Sequence, residues 1–174
     1  MATKKGHDAH RICVMGVSGA GKTAVGTRLA AAIGVPYLEG DELHPAANVE
    51  RMAQGIPLTD EDRRPWLAAI AARIAAAARA RTGLVVSCSA LKRAYRDILR
   101  GADDRLLFVH LTGERSLIAQ RLANRSGHFM PPAMLDSQLA TLEVPGPGEG
   151  AWTIDVADTP AAIVARIVER LKAA

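Results

Sequence analysis

The feature that most constrains this chain is a glycine-rich segment close to its beginning. Residues 16–23 read Gly-Val-Ser-Gly-Ala-Gly-Lys-Thr and fit the pattern G-x-x-x-x-G-K-[ST]. An apolar run at residues 11–15 precedes the segment, and a helical pattern that extends to about Ile33 follows it. A glycine-rich turn between a strand and a helix is typical of a phosphate-binding loop. This context favours nucleotide binding over a chance glycine-rich turn.

The loop predicts ATP and Mg²⁺ as cofactors. Its glycines allow successive backbone N–H groups to point at one phosphate, and the helix that starts near Lys22 adds the positive end of its dipole. Lys22 can reach the β- and γ-phosphates, and the Thr23 hydroxyl can coordinate Mg²⁺. The predicted nucleotide-binding residues of the loop are Gly16, Val17, Ser18, Gly19, Ala20, Gly21, Lys22 and Thr23.

Short apolar runs alternate with longer helical patterns along the rest of the chain. Further strands are expected at residues 35–39, 84–88, 106–111 and 152–156. This alternation predicts an α/β protein, a three-layer α/β/α P-loop fold with a five-stranded parallel sheet. The length of 174 residues fits a single P-loop domain over residues 1–174, in which residues 1–9 are expected to form a disordered tail.

Composition narrows the range of partners. The formal charge of +4 favours anionic ligands, but the basic residues are dispersed and aromatic residues make up only 3%. We therefore expect a small anionic ligand and no nucleic acid. No run is apolar enough to cross a membrane, and no membrane partner is expected. The two cysteines have no metal-type spacing, and they predict buried thiols in a cytoplasmic protein.

Three classes of P-loop protein carry a loop of this kind: a small-molecule kinase, a GTPase-type switch and a remodelling ATPase. The chain is short for most remodelling ATPases, and it lacks the Asn-Lys-x-Asp run of guanine-specific proteins. Arg121 and Arg125 lie four residues apart on one predicted helix face, just before a Gly/Pro-containing break. We predict a lid over about residues 115–135 whose arginines Arg121 and Arg125 contact ATP and act in catalysis. A solvated basic face is the alternative.

Asp41 is predicted to act in catalysis together with Lys22 and the lid arginines. It follows the second predicted strand, so its side chain should lie at the carboxyl edge of the sheet, where ligands bind. It could accept the proton of an attacking hydroxyl, orient that hydroxyl or help to hold Mg²⁺ through water. A simple helix-capping role is the alternative. The strand at 84–88 ends without Asp or Glu, so the acidic role is assigned to Asp41.

Beyond these features, the chain resembles the gluconate kinases (gluconokinases) of the P-loop type. The likeness extends from about residue 10 to the C-terminus, and its more specific motifs are Asp-x-Leu-His-Pro and Cys-Ser-Ala-Leu-Lys. The matching residues outside the loop include Gly40-Asp41, Leu43-His44-Pro45, Asn48, Asp60, Asp62-Arg63, Pro65-Trp66-Leu67, Cys88 to Lys92, Tyr95-Arg96-Asp97, Arg121, Arg125, Gly127-His128-Phe129, Gln138 and Leu142-Glu143.

The resemblance implies transfer of the γ-phosphoryl group of ATP to the 6-hydroxyl of D-gluconate, in a homodimer with a fold like that of nucleoside monophosphate kinases. Gluconate is a carboxylate with a row of hydroxyls, so its site needs cations and hydrogen-bonding side chains. Lys92 and Arg96 are four residues apart on a predicted helix, so both can point at one anion. The predicted substrate-binding residues are Asp41, His44, Arg51, Arg63, Lys92, Arg96, His128 and Gln138.

Two alternatives stay open at this point. The first is a related P-loop kinase that acts on shikimate, another sugar acid or a nucleoside monophosphate. The second is an ATP-binding regulatory module without turnover. The sequence departs from the expected family pattern in two places, with Arg51 where lysine is expected and Pro131-Pro132 after the lid.

Overall fold

The computed structural model describes residues 9–125 and 132–174. Within these ranges the chain alternates strands and helices, as the sequence predicts. The strands are β1 (Arg11–Met15), β2 (Tyr37–Glu39), β3 (Leu84–Ser87), β4 (Leu107–Thr112) and β5 (Trp152–Asp155). The helices are α1 (Lys22–Ile33), α2 (Ala46–Ala53), α3 (Asp60–Ala80), α4 (Arg93–Arg100), α5 (Arg115–Ala123), α6 (Pro132–Thr141) and α7 (Pro160–Ala173).

The five strands form one sheet in the order β2-β3-β1-β4-β5, and all neighbouring strands are parallel. This confirms the predicted five-stranded parallel sheet. β2 begins later than the apolar run suggested. Val35 N donates to Ala30 O at the end of α1, and Pro36 has no N–H group, so ladder pairing starts at Tyr37.

The central strand β1 is buried on both faces. Ile12 and Val14 face one hydrophobic cluster, which includes residues of α1 and α7. Cys13 and Met15 face a second cluster, which includes residues of α3 and α4. A parallel strand that is apolar on both faces is the expected centre of a three-layer α/β/α fold. The predicted buried thiols are confirmed, because Cys13 and Cys88 are free and buried.

Helix α3 places its first turn at the same edge of the sheet as the phosphate loop. Thr59 and Asp62 form a capping box that fixes the start of the helix. Trp66, Ile70 and Ile74, at helical spacing, are buried against the sheet. The polar side chains of the first turn therefore project at the carboxyl edge.

Loops that follow β1, β2 and β3 meet at this carboxyl edge. Gly16 N, at the start of the phosphate loop, donates to Ser89 O in the loop after β3 at 3.3 Å. No helix in the described ranges is long and apolar enough to span a membrane. The predicted tail at residues 1–9 lies almost wholly outside the described residues, as does the centre of the predicted lid (126–131), and both stay predictions.

Candidate active site

The phosphate loop requires glycine where the chain turns. Gly16 has φ 144, and a Cβ there would lie 2.6 Å from Leu111 O. Gly19 has φ 82, and its Cβ would lie 2.6 Å from Leu122 Cγ. Both positions therefore combine an unusual backbone with no room for a side chain. The loop closes onto α1, whose first residue is Lys22, so free N–H groups at the helix start face the loop.

Lys22 curls back over the loop, and its Nζ donates to Val17 O at 3.0 Å. Burial lowers the pKa of Lys22, while the charges of Asp41 and Glu39 act in the opposite direction. A partly desolvated lysine flanked by carboxylates is suited to meet a phosphate, because the phosphate can replace the carbonyl as its partner.

Glu39 is a site residue that the sequence analysis missed. Thr23 Oγ1 donates to Glu39 Oε2 at 2.6 Å, which places a carboxylate directly on the predicted Mg²⁺ ligand. Such a carboxylate was expected at the end of β3, where Ser87 stands. Glu39 and Ser87 are register partners on the adjacent strands β2 and β3, so the acid is supplied by the neighbouring strand.

Three hydroxyls hold the Glu39 carboxylate. Besides Thr23, Ser87 Oγ donates to Oε1 at 2.5 Å and Tyr37 OH donates to Oε2 at 2.7 Å. Burial alone would raise the pKa of Glu39, but these hydrogen bonds outweigh burial and lower it. Glu39 therefore stays ionised beside Thr23. The Glu-Gly-Asp run that ends β2 is the sequence signal that could have identified it.

Gly40 fixes the path of the chain into Asp41. A Cβ at Gly40 would lie 2.1 Å from Ser87 O, so glycine is required for this close approach. Trp66 Nε1 donates to Gly40 O at 2.8 Å and holds the same turn from the other side. Asp41 is exposed, and its charge raises the pKa of both Lys22 and His44 against the effect of burial. Asp41 is therefore near both the phosphate-loop lysine and His44.

His44 stacks on Trp66, with ring centroids 4.2 Å apart. Asn48 Nδ2 donates to Asp62 O at 2.7 Å and lies 3.3 Å from His44 Nδ1. An amide nitrogen can only donate, so His44 Nδ1 acts as the acceptor. Burial lowers the pKa of His44, which favours the neutral ring with its proton on Nε2. Trp66 is 1% exposed, so it is a packed residue of the core.

A polar cluster surrounds Asp60 at the start of α3. Lys92 Nζ donates to Asp60 Oδ1 at 2.9 Å and to Oδ2 at 3.2 Å, and Tyr95 OH also bonds to Oδ1. Arg63 Nη1 donates to Tyr95 OH at 3.1 Å. The structure therefore brings together two of the predicted substrate cations, Arg63 and Lys92, around one carboxylate.

Arg51 in α2 completes this polar side of the site. Its Nε lies 3.7 Å from Asp62 Oδ2, which is beyond hydrogen-bond distance. The Nε atom is buried and has no hydrogen-bond partner within the described ranges. A buried donor without a partner is costly, so an incoming acceptor at this position is favourable.

Arg96 is not placed as expected. Its guanidinium is buried, with a side-chain exposure of 1%, and it binds Glu149 through Nε and Nη2 at 2.6 and 2.9 Å. Its Nη1 donates to Ala90 O and Leu91 O. Lys92 precedes α4 and turns toward Asp60 instead. The expectation that Lys92 and Arg96 point at one anion is therefore wrong, because Arg96 lies on the inward face of α4.

Gln138 lies on the phosphate loop rather than beside the polar cluster. It accepts from Ser18 N at 2.8 Å and donates to Ser18 Oγ at 3.1 Å. Gln138 therefore lies against the predicted nucleotide-binding loop, and its contact with the acid stays a prediction. Glu149 binds Arg96, and Glu143 Oε2 accepts from Arg93 N; the sequence predicted no role for either glutamate.

The predicted lid arginines occupy different positions. Arg121 Nη2 donates to Val156 O at 2.7 Å, at the end of β5. Arg125 is exposed, and its charge contributes to the lowered pKa of Lys22, so it lies on the phosphate side. His128 lies outside the described residues, and its predicted role is unchanged.

The fold and this site define a P-loop protein with the architecture of a small-molecule kinase. A family model described as an AAA domain matches residues 12–145. A gluconokinase of Gluconobacter oxydans is 46% identical over 171 residues, which cover 98% of this chain and 96% of that protein. The thermoresistant gluconokinase of Escherichia coli is 41% identical and covers 95% of each chain.

Solved structures similar to this chain include a gluconokinase and a shikimate kinase. A gluconokinase from Sinorhizobium meliloti matches with a TM-score of 0.83 at 48% identity, over 95% of this chain and 97% of that chain. A shikimate kinase from Acinetobacter baumannii has a TM-score of 0.60 at 20% identity, which shows a shared fold. The chain belongs to the gluconokinase family of P-loop proteins.

Proposed function

We propose that this protein transfers the γ-phosphoryl group of ATP to the 6-hydroxyl of D-gluconate and releases 6-phospho-D-gluconate and ADP. The observation that carries the proposal is the polar cluster of Arg51, Arg63 and Lys92. Asp41 is near both Lys22 and His44, because its charge raises the pKa of each. Such an arrangement suits an acceptor that has a carboxylate at one end and a hydroxyl at the other.

Lys92 and Arg63 would bind the carboxylate of the acid in this scheme. Lys92 already binds the Asp60 carboxylate, and Arg63 binds the Tyr95 hydroxyl that contacts this carboxylate. A substrate carboxylate can join or replace Asp60 without exposing an unpaired cation. His44 and Arg51 would then contact the sugar hydroxyls from the α2 side, His44 as a donor through Nε2.

Lys22 and Asp41 would act on the reacting atoms. Lys22 neutralises charge on the transferred phosphoryl group, and the N–H groups of the loop fix its position. Asp41 accepts or orients the proton of the attacking hydroxyl. Arg125 is placed to add positive charge from the lid side.

The oxygen donors of Thr23 and Glu39 fit Mg²⁺. The described residues contain no group of three or more acidic, histidine or cysteine side chains that could hold a metal by themselves. Mg²⁺ commonly binds through one or two protein oxygens together with phosphates and water, which matches this pair. When bound, it would neutralise phosphate charge. Exchanging Glu39 for Gln should raise the Mg²⁺ concentration that gives half-maximal activity, whereas an unchanged Mg²⁺ dependence would remove Glu39 from the site.

An ADP-release assay tests the activity. D-gluconate should give strong turnover with Mg²⁺-ATP, while shikimate, other aldonic acids, AMP and water should give little. Turnover with another of these acceptors would keep the kinase chemistry and overturn the assigned substrate. ATP binding without transfer to any acceptor would favour the non-catalytic regulatory module.

Replacing Asp41 by Asn tests the hydroxyl-activating role. The change keeps the shape and removes the base, so kcat should fall by about 10²- to 10⁴-fold while ATP binding stays close to that of the wild type. Glu42→Gln, the neighbouring exposed acid, is the matched control. A near-normal rate in Asp41→Asn would contradict the assignment.

We also propose, on the family resemblance, that the protein is a cytoplasmic homodimer. Light scattering on the purified protein tests the dimer, and a monomeric mass at working concentration would contradict it.

A further inference from the structure

Gln138, in α6, is fastened to the phosphate loop by two hydrogen bonds. Ser18 N donates to Gln138 Oε1 at 2.8 Å, and Gln138 Nε2 donates to Ser18 Oγ at 3.1 Å. The two residues are 120 positions apart in the chain, so the contact is a tertiary one. The paired donor and acceptor fix the orientation of the amide as well as its position.

Glu143, five residues further on, is fastened to the loop that carries Lys92. Glu143 N donates to Leu91 O at 2.8 Å, and Glu143 Oε2 accepts from Arg93 N at 2.7 Å. Leu91 and Arg93 are the two sequence neighbours of Lys92, so Glu143 holds the backbone on both sides of that lysine. Arg93 N also begins α4, where a carboxylate is favoured by the helix dipole.

The segment between these two anchors is short and ordered. Leu142 N donates to Gln138 O at 2.9 Å, which continues the helical hydrogen bonding to the end of α6. Leu135 is 1% exposed and belongs to the same hydrophobic cluster as Val17 and Leu91, which come from the two loops. A displacement of one anchor is therefore transmitted to the other.

We propose that the segment Gln138–Glu143 couples the nucleotide and acid halves of the site, so that each ligand tightens the binding of the other. This inference rests on the proposed function. A ligand that orders one loop also orders the segment, and the second ligand then binds a loop that is already held. The effect is reciprocal, because a coupling free energy acts equally on both ligands.

A second connection between the halves sets the residual coupling. Gly16 N donates to Ser89 O at 3.3 Å, a backbone bond that side-chain substitutions leave in place. The side-chain bonds of Gln138 and of Glu143 Oε2 can be removed one at a time, whereas the backbone bond from Glu143 N to Leu91 O stays in the variants. Both are positioning residues in this scheme, since neither needs to touch a reacting atom.

The test measures the Kd of D-gluconate alone and with saturating Mg²⁺ and a non-hydrolysable ATP analogue. The ratio of the two values is the coupling factor, which we expect to be at least about 5 for the wild type. Gln138→Ala should lower the factor to about 2 or less, and Glu143→Ala should lower it in part, because the backbone bond from Glu143 N to Leu91 O remains. The double variant should be no lower than Gln138→Ala, because loss of the Ser18 contacts already disconnects the segment from the phosphate loop.

Asp136→Asn is the matched control. Asp136 pairs with Arg115 at 2.7 and 2.9 Å and fastens α6 to α5, and within the described ranges it forms no hydrogen bond with either half of the site. This variant should keep the coupling factor of the wild type. A merely structural loss would weaken both Kd values together and leave their ratio unchanged, so the ratio separates coupling from damage to the fold.

The outcomes are distinct. A wild-type factor of one, an unchanged factor in Gln138→Ala, or a lost factor in Asp136→Asn would each overturn the inference. If the wild type neither binds nor phosphorylates gluconate, the proposed function fails and the inference fails with it. If gluconate is bound and phosphorylated without coupling to the nucleotide, the inference alone fails.

Discussion

The phosphate loop comes from one contiguous segment, whereas the proposed acid half is gathered from four. Residues 16–23 supply the whole loop and the start of α1. The proposed acid half takes His44 from the turn after β2, Arg51 from α2, Arg63 from α3 and Lys92 from the loop after β3. Backbone geometry builds the first half, and side-chain contacts over long sequence distances build the second.

The difference has a physical origin. A phosphate group is recognised by N–H groups that a short glycine-rich turn can aim by itself. A sugar acid presents a carboxylate and hydroxyls over a longer distance, so its partners must come from several elements. The acid half therefore depends on the packing that holds those elements together, and the phosphate half depends much less on it.

The largest expected effect comes from the phosphate half. Lys22→Ala removes the cation that meets the transferred phosphoryl group, and kcat should fall by about 10³-fold or more with every acceptor. Rapid-quench or coupled ADP measurements give the rate, and a thermal melt checks the fold. Arg28→Ala, on the exposed face of the same helix, is the control and should stay near the wild-type rate. A comparable loss in both variants would contradict a specific role of Lys22.

The buried Arg96–Glu149 pair gives the next effect, on stability. Arg96→Ala leaves the Glu149 carboxylate buried without its partner, and the free energy of unfolding should fall by about 3–5 kcal/mol. Chemical denaturation measures this change. Replacing both residues, as in Arg96→Met with Glu149→Leu, should recover most of the loss. If the double variant is as unstable as Arg96→Ala, the cost lies in packing and not in the unpaired charge.

The pH dependence of stability tests the same Arg96–Glu149 pair. The hydrogen bond from Arg96 lowers the pKa of Glu149 to about 2. An unfolded glutamate titrates near about 4.3, so the pair stabilises the fold above that pH and loses its contribution as the pH falls toward 2. In Arg96→Ala, burial raises the pKa of Glu149, so stability should rise as the pH falls from about 7 to 4, a range over which the wild-type pair keeps its full contribution. An unchanged slope would mean that Glu149 does not carry the acid sensitivity.

The contrast between the halves also explains what the sequence could predict. The phosphate loop and the alternation of strands and helices depend on local patterns, and both appear in the structure. Asp41 was placed correctly at the carboxyl edge because strand ends in parallel sheets meet there. The family resemblance predicted gluconate as the substrate, which no local pattern predicts.

Arg96 shows why the rest could not be predicted. Spacing alone put Lys92 and Arg96 on one helix face, but the helix starts at Arg93, and Lys92 lies before it. The partner of Arg96 is Glu149, which is 53 residues away in a loop without a recognisable pattern. Glu39 was missed for a similar reason, because its role depends on the register of β2 against β3. Both results depend on tertiary pairing, which sequence spacing does not encode.

The smallest expected effect concerns Lys92 and separates it from Arg96. Lys92→Ala removes the proposed charge-assisted hydrogen bond to the acid, so KM for gluconate should rise by roughly 10- to 100-fold. Stability should change little, because Lys92 is partly exposed and pairs with the exposed Asp60. Arg93→Ala removes the same charge one residue away, from an exposed side chain, and it should leave KM unchanged. A KM rise in both variants would indicate a general electrostatic effect. A rise in KM in Lys92→Ala alone, together with a loss of stability in Arg96→Ala alone, would show that the two cations have different roles. Lys92 would bind the acid, and Arg96 would hold the loop that carries Lys92.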